Sequence, residues 1–553
     1  MVIIMKKIFM AFTAFVASAA VFAAPVPVSA SRSSDSDYSD FIRGVDVSML
    51  KTVEDCGGLF YDNAVPQDAL EILKNHGANA VRLRLWVDPY DANGDSYGGG
   101  GNDYATTLGL AQRAKQLGMK VLIDFHLSDW WADPGTQSKP KAWENLTYAD
   151  LKTALYDYVK DTMDDLVSDG MIPDMVQIGN ETSSGILWED GYVGNGVNSF
   201  SNLADLVSTA IDGVRDSVGN QTKVILHLDN GGNNSLYRWW FDGITGTNHE
   251  VDFDMIGLTY YPMWHGTLED LQYNMNDISQ RYGKDVIVVE TAYGWTTDDG
   301  DGLGSSFSPQ DAINAGYPAT VQGQYDFMRD LTQVILNVPN ERGIGFFYWE
   351  PTWLPVEGAY WGTETGKEYI GDTGILSNPW DNLTLFDFNG NALDSIDLLA
   401  EPSPNLAENP SFEEDGAVTS SPQGWNVWLD SGTAAATVKT ESGGIDGAYK
   451  LTFWSDDDYS CSVYQVLTGL ENGTYALSAW IMNGGQDVCW LYAKNFGGTE
   501  KNVLLPLSDT GWTRISVEGI EVANHQCEIG IYTVAGEGDW CNADLIRFSK
   551  SGS

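Results

Sequence analysis

Eight short runs rich in β-branched and aromatic residues recur between residues 41 and 398, and longer stretches with apolar residues three and four apart lie between them. A chain that alternates strand and helix periods in this way builds parallel βα units, because successive strands running the same way need a crossover helix. The runs are 41–46, 80–86, 120–126, 175–181, 223–228, 255–261, 285–290 and 343–350. Helical spacing covers 67–76 and 106–117, stopped by Gly77 and Gly118, and also 147–168, 203–218, 268–282 and 321–336. Eight such units predict an α/β fold of the (β/α)8 barrel type over 41–398. A doubly wound open sheet is the alternative, but no Gly-rich phosphate fingerprint follows the first run.

After residue 398 the pattern changes. Glu401-Pro-Ser-Pro404 marks a linker over 399–404, and 405–553 shows period-two runs at 462–467, 474–480, 489–493, 512–517 and 527–532, separated by Gly and Asn. These predict an all-β jelly-roll sandwich. At the other end, Lys6 and Lys7 precede an apolar stretch from Ile8 to Ala24 and the small-residue site Val28-Ser29-Ala30. Residues 1–30 therefore read as a signal peptide and 31–40 as a polar mature tail, so a secreted, extracellular protein is expected. No later apolar run is long enough to span a membrane.

With 30 Lys or Arg against 77 Asp or Glu, the 553-residue chain carries a formal charge of −47. That charge argues against nucleic acid, anionic membrane and polyanions such as pectate, and leaves a neutral polysaccharide as the expected partner of a monomer. Twenty Trp and 26 Tyr agree, since flat aromatic faces stack on sugar rings. Of the five cysteines, Cys56 stands alone and Cys461, Cys489, Cys527 and Cys541 fall in the sandwich region. Export permits disulfides, and four cysteines allow three pairings among which the sequence does not choose.

Working residues of a (β/α)8 barrel sit at the carboxyl ends of its strands. Here those ends carry Asp46, His126, Asn180-Glu181, Glu290 and Trp349-Glu350. Glu181 and Glu290, closing the fourth and seventh runs, would face each other across the barrel mouth, as the two carboxyl groups of a glycoside hydrolase do. Alternation along the second run puts Arg82, Arg84 and Trp86 on one inward side, where a buried Arg holds a carboxylate ionised. His126 either bonds a sugar hydroxyl or is a satisfied core histidine, and the same choice stays open for His227.

Gly179-Asn180-Glu181 and Glu290 match the pattern of the clan of retaining (β/α)8 glycosidases. Within it, Val81-Arg-Leu-Arg-Leu-Trp86, Asp124-Phe-His126, Trp131-Ala-Asp-Pro134, Gly257-Leu-Thr-Tyr-Tyr-Pro-Met-Trp-His-Gly266, Val289-Glu-Thr-Ala-Tyr293 and Phe347-Tyr-Trp-Glu-Pro351 resemble glycoside hydrolase family 53, a family of endo-β-1,4-galactanases.

The resemblance implies Glu181 as acid/base, Glu290 as nucleophile and Asn180 as a donor to the sugar 2-hydroxyl. It further implies Arg82 or Arg84, and Tyr260 or Tyr261, as orienters of Glu290. Trp86 and Trp349 become sugar platforms, with Asp46, His126 and Trp131 nearby and Glu350 in support. No cofactor is implied for the chemistry. A structural calcium is implied between the last two barrel loops, with Asp301, Ser305 and Asp381 as ligands, although Leu303 and Ser305 stand where bacterial relatives often carry His and Asn. Asn409-Pro-Ser-Phe-Glu413, Trp425, Gly473-Thr-Tyr475 and Trp540-Cys-Asn-Ala-Asp544 resemble carbohydrate-binding module family 61, which makes Trp454, Trp490 and Tyr492 candidate platforms for galactan. The expectation is a retaining endo-β-1,4-galactanase acting on galactan or type I arabinogalactan, with a galactan-binding module. The alternatives are an endo-hydrolase of another β-1,4-glycan such as xylan or mannan, and a non-catalytic carbohydrate-binding protein.

Overall fold

The computed structural model describes residues 38, 40–194, 199–371, 374–444, 448–485 and 488–550. The signal-peptide segment and nearly all of the tail expected at 31–40 lie outside these residues. The chain divides into two compact units, the first running from Tyr38 to Glu401 and the second starting at Pro402.

In the first unit, eight parallel strands close into a barrel: β1 Ile42–Asp46, β2 Ala80–Leu85, β3 Lys120–Phe125, β4 Met175–Ile178, β5 Lys223–Leu228, β6 Met255–Thr259, β7 Asp285–Thr291 and β8 Gly343–Trp349. Each strand comes from one of the eight runs. All six expected helices form, with ends set by local chemistry. The Thr147 side chain caps helix Tyr148–Ser168 by accepting from Asp150, and Thr267 and Asp270 make a reciprocal capping box for Leu268–Tyr282. Gly283, at φ 66°, stops that helix in the left-handed conformation that glycine adopts without cost. A further helix, Asn234–Thr245, follows β5. Its Gly231-Gly-Asn-Asn-Ser235 approach reads as loop, yet Asn233 supplies the cap by accepting from Leu236.

The barrel interior is layered. Ile42, Ala80, Leu122, Met175, Ile225, Met255, Ile287 and Phe347 pack together as an apolar plug. Gly44 leaves room for the Phe347 ring, which would stand 2.2 Å from an added Cβ. Two residues further along β2, β3, β4 and β5 the inward positions turn polar, at Arg82, Asp124, Gln177 and His227, and Asp46 ends β1 beside Arg82; all five are buried. Period-two alternation thus stacks an apolar floor beneath a polar ceiling at the carboxyl ends.

The second unit pairs two antiparallel five-stranded sheets, an all-β sandwich. In chain order its strands are β9 Asn426–Leu429, β10 Val438–Ser442, β11 Tyr449–Trp454, β12 Tyr459–Thr468, β13 Gly473–Asn483, β14 Val488–Lys494, β15 Lys501–Leu504, β16 Ser508–Val522, β17 Gln526–Ala535 and β18 Trp540–Lys550. One sheet runs β9-β12-β17-β14-β15 and the other β10-β11-β18-β13-β16. The five expected runs are β12, β13, β14, β16 and β17, and the other five strands complete the sheets.

Candidate active site

Arg82 is the hub of the polar layer. Fully buried, it donates from Nη1 to Asp46 at 2.9 Å and to Glu290 at 3.5 Å, and from Nη2 to Asp124 and to the Asn180 side-chain oxygen, both at 2.8 Å. Burial opposes its charge, but Asp124, Asp46 and Glu290 outweigh that cost and hold it firmly protonated. Asp124 in turn accepts from Gln177 at 2.7 Å and lies 3.1 Å from His126 Nε2. Burial acts against its ionisation, and Arg82 and His126 more than compensate, holding its carboxyl below the usual range.

Glu290 ends an apolar run on β7 at a register shift, where Leu258 pairs with Val288 but Thr259 with Glu290. Its Oε1 accepts from the Tyr261 hydroxyl at 3.0 Å. Burial raises its carboxyl to about 7, against the pull of Arg82 and Tyr261. Glu181 follows β4 in left-handed backbone, φ 48° and ψ 56°, a conformation that costs a non-glycine residue about 1 kcal/mol or more. Its backbone N–H donates to His227 Nδ1 at 3.2 Å, and His227 Nε2 meets the Thr259 hydroxyl at 2.8 Å. With Nδ1 accepting, His227 is neutral, as burial and the nearby Arg82 require.

An oxygen of Glu181, one of Glu290 and a ring nitrogen of His227 lie within 4.8 Å of one another. Two carboxylates so close cannot both ionise cheaply. Burial, then Glu290 and Asp229, push Glu181 well above its ordinary range. Among the described residues Glu290 faces a guanidinium and Glu181 faces none, so the shared proton sits on Glu181.

Of the two candidate arginines, Arg82 reaches Glu290. Arg84 donates to Asp46 at 3.2 Å and pairs with Glu350 at 2.6 Å, its guanidinium lying 4.6 Å from the Trp131 ring centroid and 5.5 Å from that of Trp349. Of the two tyrosines, Tyr260 points away and bonds the Gly266 carbonyl at 2.9 Å. Trp349 packs against Trp131 and Trp380. Trp86 is only 1% exposed, covered by Trp130 and Trp131. His126 Nδ1 accepts the Ala132 N–H at 3.2 Å. Asn180, its oxygen held by Arg82, donates to the Ala132 carbonyl at 2.9 Å. Sequence reasoning missed Asp229, one residue beyond β5. Burial raises its carboxyl to about 6, and its Oδ1 has no partner among the described residues.

Residues 42–399 match the profile described as glycosyl hydrolase family 53. The chain belongs to that family. The Bacillus subtilis protein named endo-beta-1,4-galactanase is 38% identical over 65% of this chain and 85% of its own length. The solved Ignisphaera aggregans GH53 catalytic domain is 41% identical, covering 67% of this chain and 99% of that one with a TM-score of 0.61. A structure titled as TmCBM61 in complex with beta-1,4-galactotriose matches 27% of this chain and all of that one, at 24% identity and a TM-score of 0.24.

Two further features lie outside the family 53 site, one in each unit. Beyond β7 and β8, Asp299, Asp301 and Asp381 each bring a carboxylate oxygen within 4.8 Å of the others. Asp381 accepts from the Ser305 hydroxyl at 2.8 Å and from the Gly300 N–H at 2.6 Å, and burial raises it to about 6. Asp301 and Asp381 were expected there with Ser305, whereas Asp299 was not singled out. Leu303 is 52% exposed, and its N–H donates to Asp301 at 2.8 Å.

On the outer face of one sandwich sheet, Trp428, Tyr464, Trp490, Tyr492 and Tyr532 line a cleft of about 520 Å³ with Lys494, Glu500 and Glu528 at its polar side. The Trp490 and Tyr532 rings lie 6.0 Å apart at 37°. Tyr492 is held by Ser462 and Glu528, both at 3.1 Å. Trp454 sits on β11, in the other sheet.

Proposed function

We propose that this family 53 barrel cleaves internal β-1,4-galactosidic linkages of galactan or type I arabinogalactan with retention of configuration. The proximity of the Glu181 and Glu290 carboxyls, with a cation on only one of them, carries the reading. A separation of about 5 Å suits direct attack by a carboxylate, whereas inverting enzymes leave room for a water with about 6.5–9.5 Å. Glu290, held ionised by Arg82 and Tyr261, attacks the anomeric carbon while Glu181 protonates the leaving oxygen. Glu181 then takes a proton from the water that hydrolyses the galactosyl-enzyme. Both reacting groups are protein carboxyls, so the chemistry needs no cofactor. Asn180 serves the 2-hydroxyl, Arg84 and Glu350 fix the Trp131 and Trp349 faces, and the name of the Bacillus subtilis relative supports galactan as the polymer.

The sandwich serves as the galactan-binding module through its aromatic cleft, which raises the local concentration of substrate around the barrel. Asp299, Asp301 and Asp381 suit a structural calcium, an oxygen-loving ion that would neutralise three converging carboxylates. The protein acts outside the cell as a monomer. Among the described residues no helix is long and apolar enough to cross a membrane.

Product analysis on linear galactan, xylan, mannan and carboxymethylcellulose tests the assignment, with short galacto-oligosaccharides expected from galactan alone. Glu181→Gln should lose roughly 10²–10⁴-fold in kcat on galactan. Undiminished hydrolysis by that variant would remove Glu181 from the mechanism.

A further inference from the structure

The inner faces of the sandwich bring three cysteines together. Cys461 on β12 and Cys489 on β14 both pair in register with Thr533 on the intervening β17. Cys541, on β18 of the facing sheet, pairs with Phe453 and Asn483. All three are buried in the sandwich core, and the Cys489 side chain lies against the Cys541 thiol, which donates to the Asn542 carbonyl at 3.5 Å. The two strands are tied at the same level by backbone and amide contacts. The Leu505 N–H donates to the Cys489 carbonyl at 2.8 Å, and Asn483, beside Cys541, donates to the Leu505 carbonyl at 3.3 Å.

Geometry removes the pairing of Cys461 with Cys489 and every pairing of Cys527. Cys461 and Cys489 stand two strands apart, so their Cα atoms are about 9–10 Å apart, beyond the roughly 7 Å a disulfide spans. Cys527 lies six residues along β17 from Thr533, about 20 Å away. Of the two thiols that face Cys541, Cys489 lies against it while Cys461 acts on it through charge alone, and the Leu505 bridge ties Cys489 to Asn483, the register neighbour of Cys541. We propose that Cys489 and Cys541 form a disulfide that stitches the two sheets together, with Cys461 and Cys527 remaining thiols.

Forming the bond removes two protons and two electrons from the thiols. The acceptor is a disulfide, that of a thiol oxidoreductase or of oxidised glutathione, which is reduced to two thiols. One cysteine attacks that disulfide as a thiolate, and the second displaces the mixed disulfide. Contact with Cys489 and burial both raise the Cys541 thiol, which disfavours its thiolate in the closed core. The bond would sit directly behind the cleft, because Cys489 points inward on the strand that turns Trp490 outward.

The cellular setting rests on the export proposed above, but the test does not. The full chain is refolded in a glutathione redox buffer, alkylated under denaturing conditions and mapped by peptide mass. One linked pair containing Cys489 and Cys541 is expected, with alkyl groups on Cys56, Cys461 and Cys527. Reduction should lower the sandwich unfolding midpoint by roughly ten degrees, as expected for a crosslink closing a loop of about 50 residues. Five alkylated cysteines, or any other linkage, would overturn the pairing, and a midpoint unmoved by reduction would overturn the stitching role. Cys461→Ala should keep the same linked peptide, and its loss there would equally count against the proposal. Failure to find the protein outside the cell would affect the export reading alone.

Discussion

Replacing Tyr261 with Phe removes one hydroxyl donor and leaves the ring in place. That hydroxyl lies 3.0 Å from Glu290 Oε1, the second prop of the carboxylate after Arg82. A hydrogen bond to a buried charged group contributes about 1.5–3 kcal/mol. At 1.36 kcal/mol per decade, kcat/KM on galactan should fall roughly ten- to a hundredfold at neutral pH. The same loss appears in the titration of the nucleophile. The donor favours the ionised form, so its removal raises the Glu290 pKa from about 7 by roughly one to two units. Because Glu290 must be ionised to attack, the acidic limb of the kcat/KM profile moves to higher pH. The deficit should therefore be largest at low pH and shrink as pH rises. Initial rates from pH 4 to 9, with circular dichroism to confirm folding, make the measurement. An unshifted acidic limb, or a wild-type rate, would refute the claim that Tyr261 holds Glu290 charged.

Two other outcomes follow from the sandwich cleft and from the barrel loops. Trp490→Ala should weaken retention on insoluble galactan about tenfold or more while leaving turnover of short soluble galacto-oligosaccharides unchanged, measured by pull-down and by initial rates. For the loop carboxylates, removing calcium should lower the barrel's unfolding midpoint, and the sign of the pH dependence identifies the cause. Asp381 has a folded pKa of about 6, above that of an ordinary carboxyl. The ion-free site is therefore least stable above pH 6 and regains stability as pH falls toward 4 and the folded state takes up the proton. Calorimetry with and without chelator reads this directly, and a midpoint indifferent to chelator at pH 7 would exclude a structural ion there.

The strand-end pattern placed Glu181, Glu290, Asp46 and His126 at the mouth because period-two alternation and barrel topology are local rules. Arg82 and Arg84 could not be told apart by alternation, since both face inward. Height along β2 separates them: Arg82 sits level with Asp46, and Arg84 one layer higher reaches Glu350. Tyr260 and Tyr261 follow a register shift at Leu258/Thr259, and such a shift is invisible in a sequence of apolar residues. Asp229 escaped notice because it lies just past the end of the β5 run, and only the folded barrel brings it beside Glu181. Trp428 and Trp490, far apart in sequence, meet in one cleft through the order of strands in a sheet, which short-range periodicity does not encode.

The reach of Arg82 also bears on how the barrel avoids closing wrongly. Standing on β2, it bonds partners on β1 and β3, just after β4 and, across the mouth, on β7. A strand that slipped by one residue would turn its inward set outward. Arg82 or one of its carboxylates would then be stranded in a dry interior, at a cost of several kcal/mol. The apolar plug below tolerates approximate packing, whereas Arg82 needs three carboxylates and the Asn180 oxygen within hydrogen-bond reach, as the native register places them. The groups that make the site reactive thus also penalise a slipped ring, a cost that hydrophobic collapse alone would not impose.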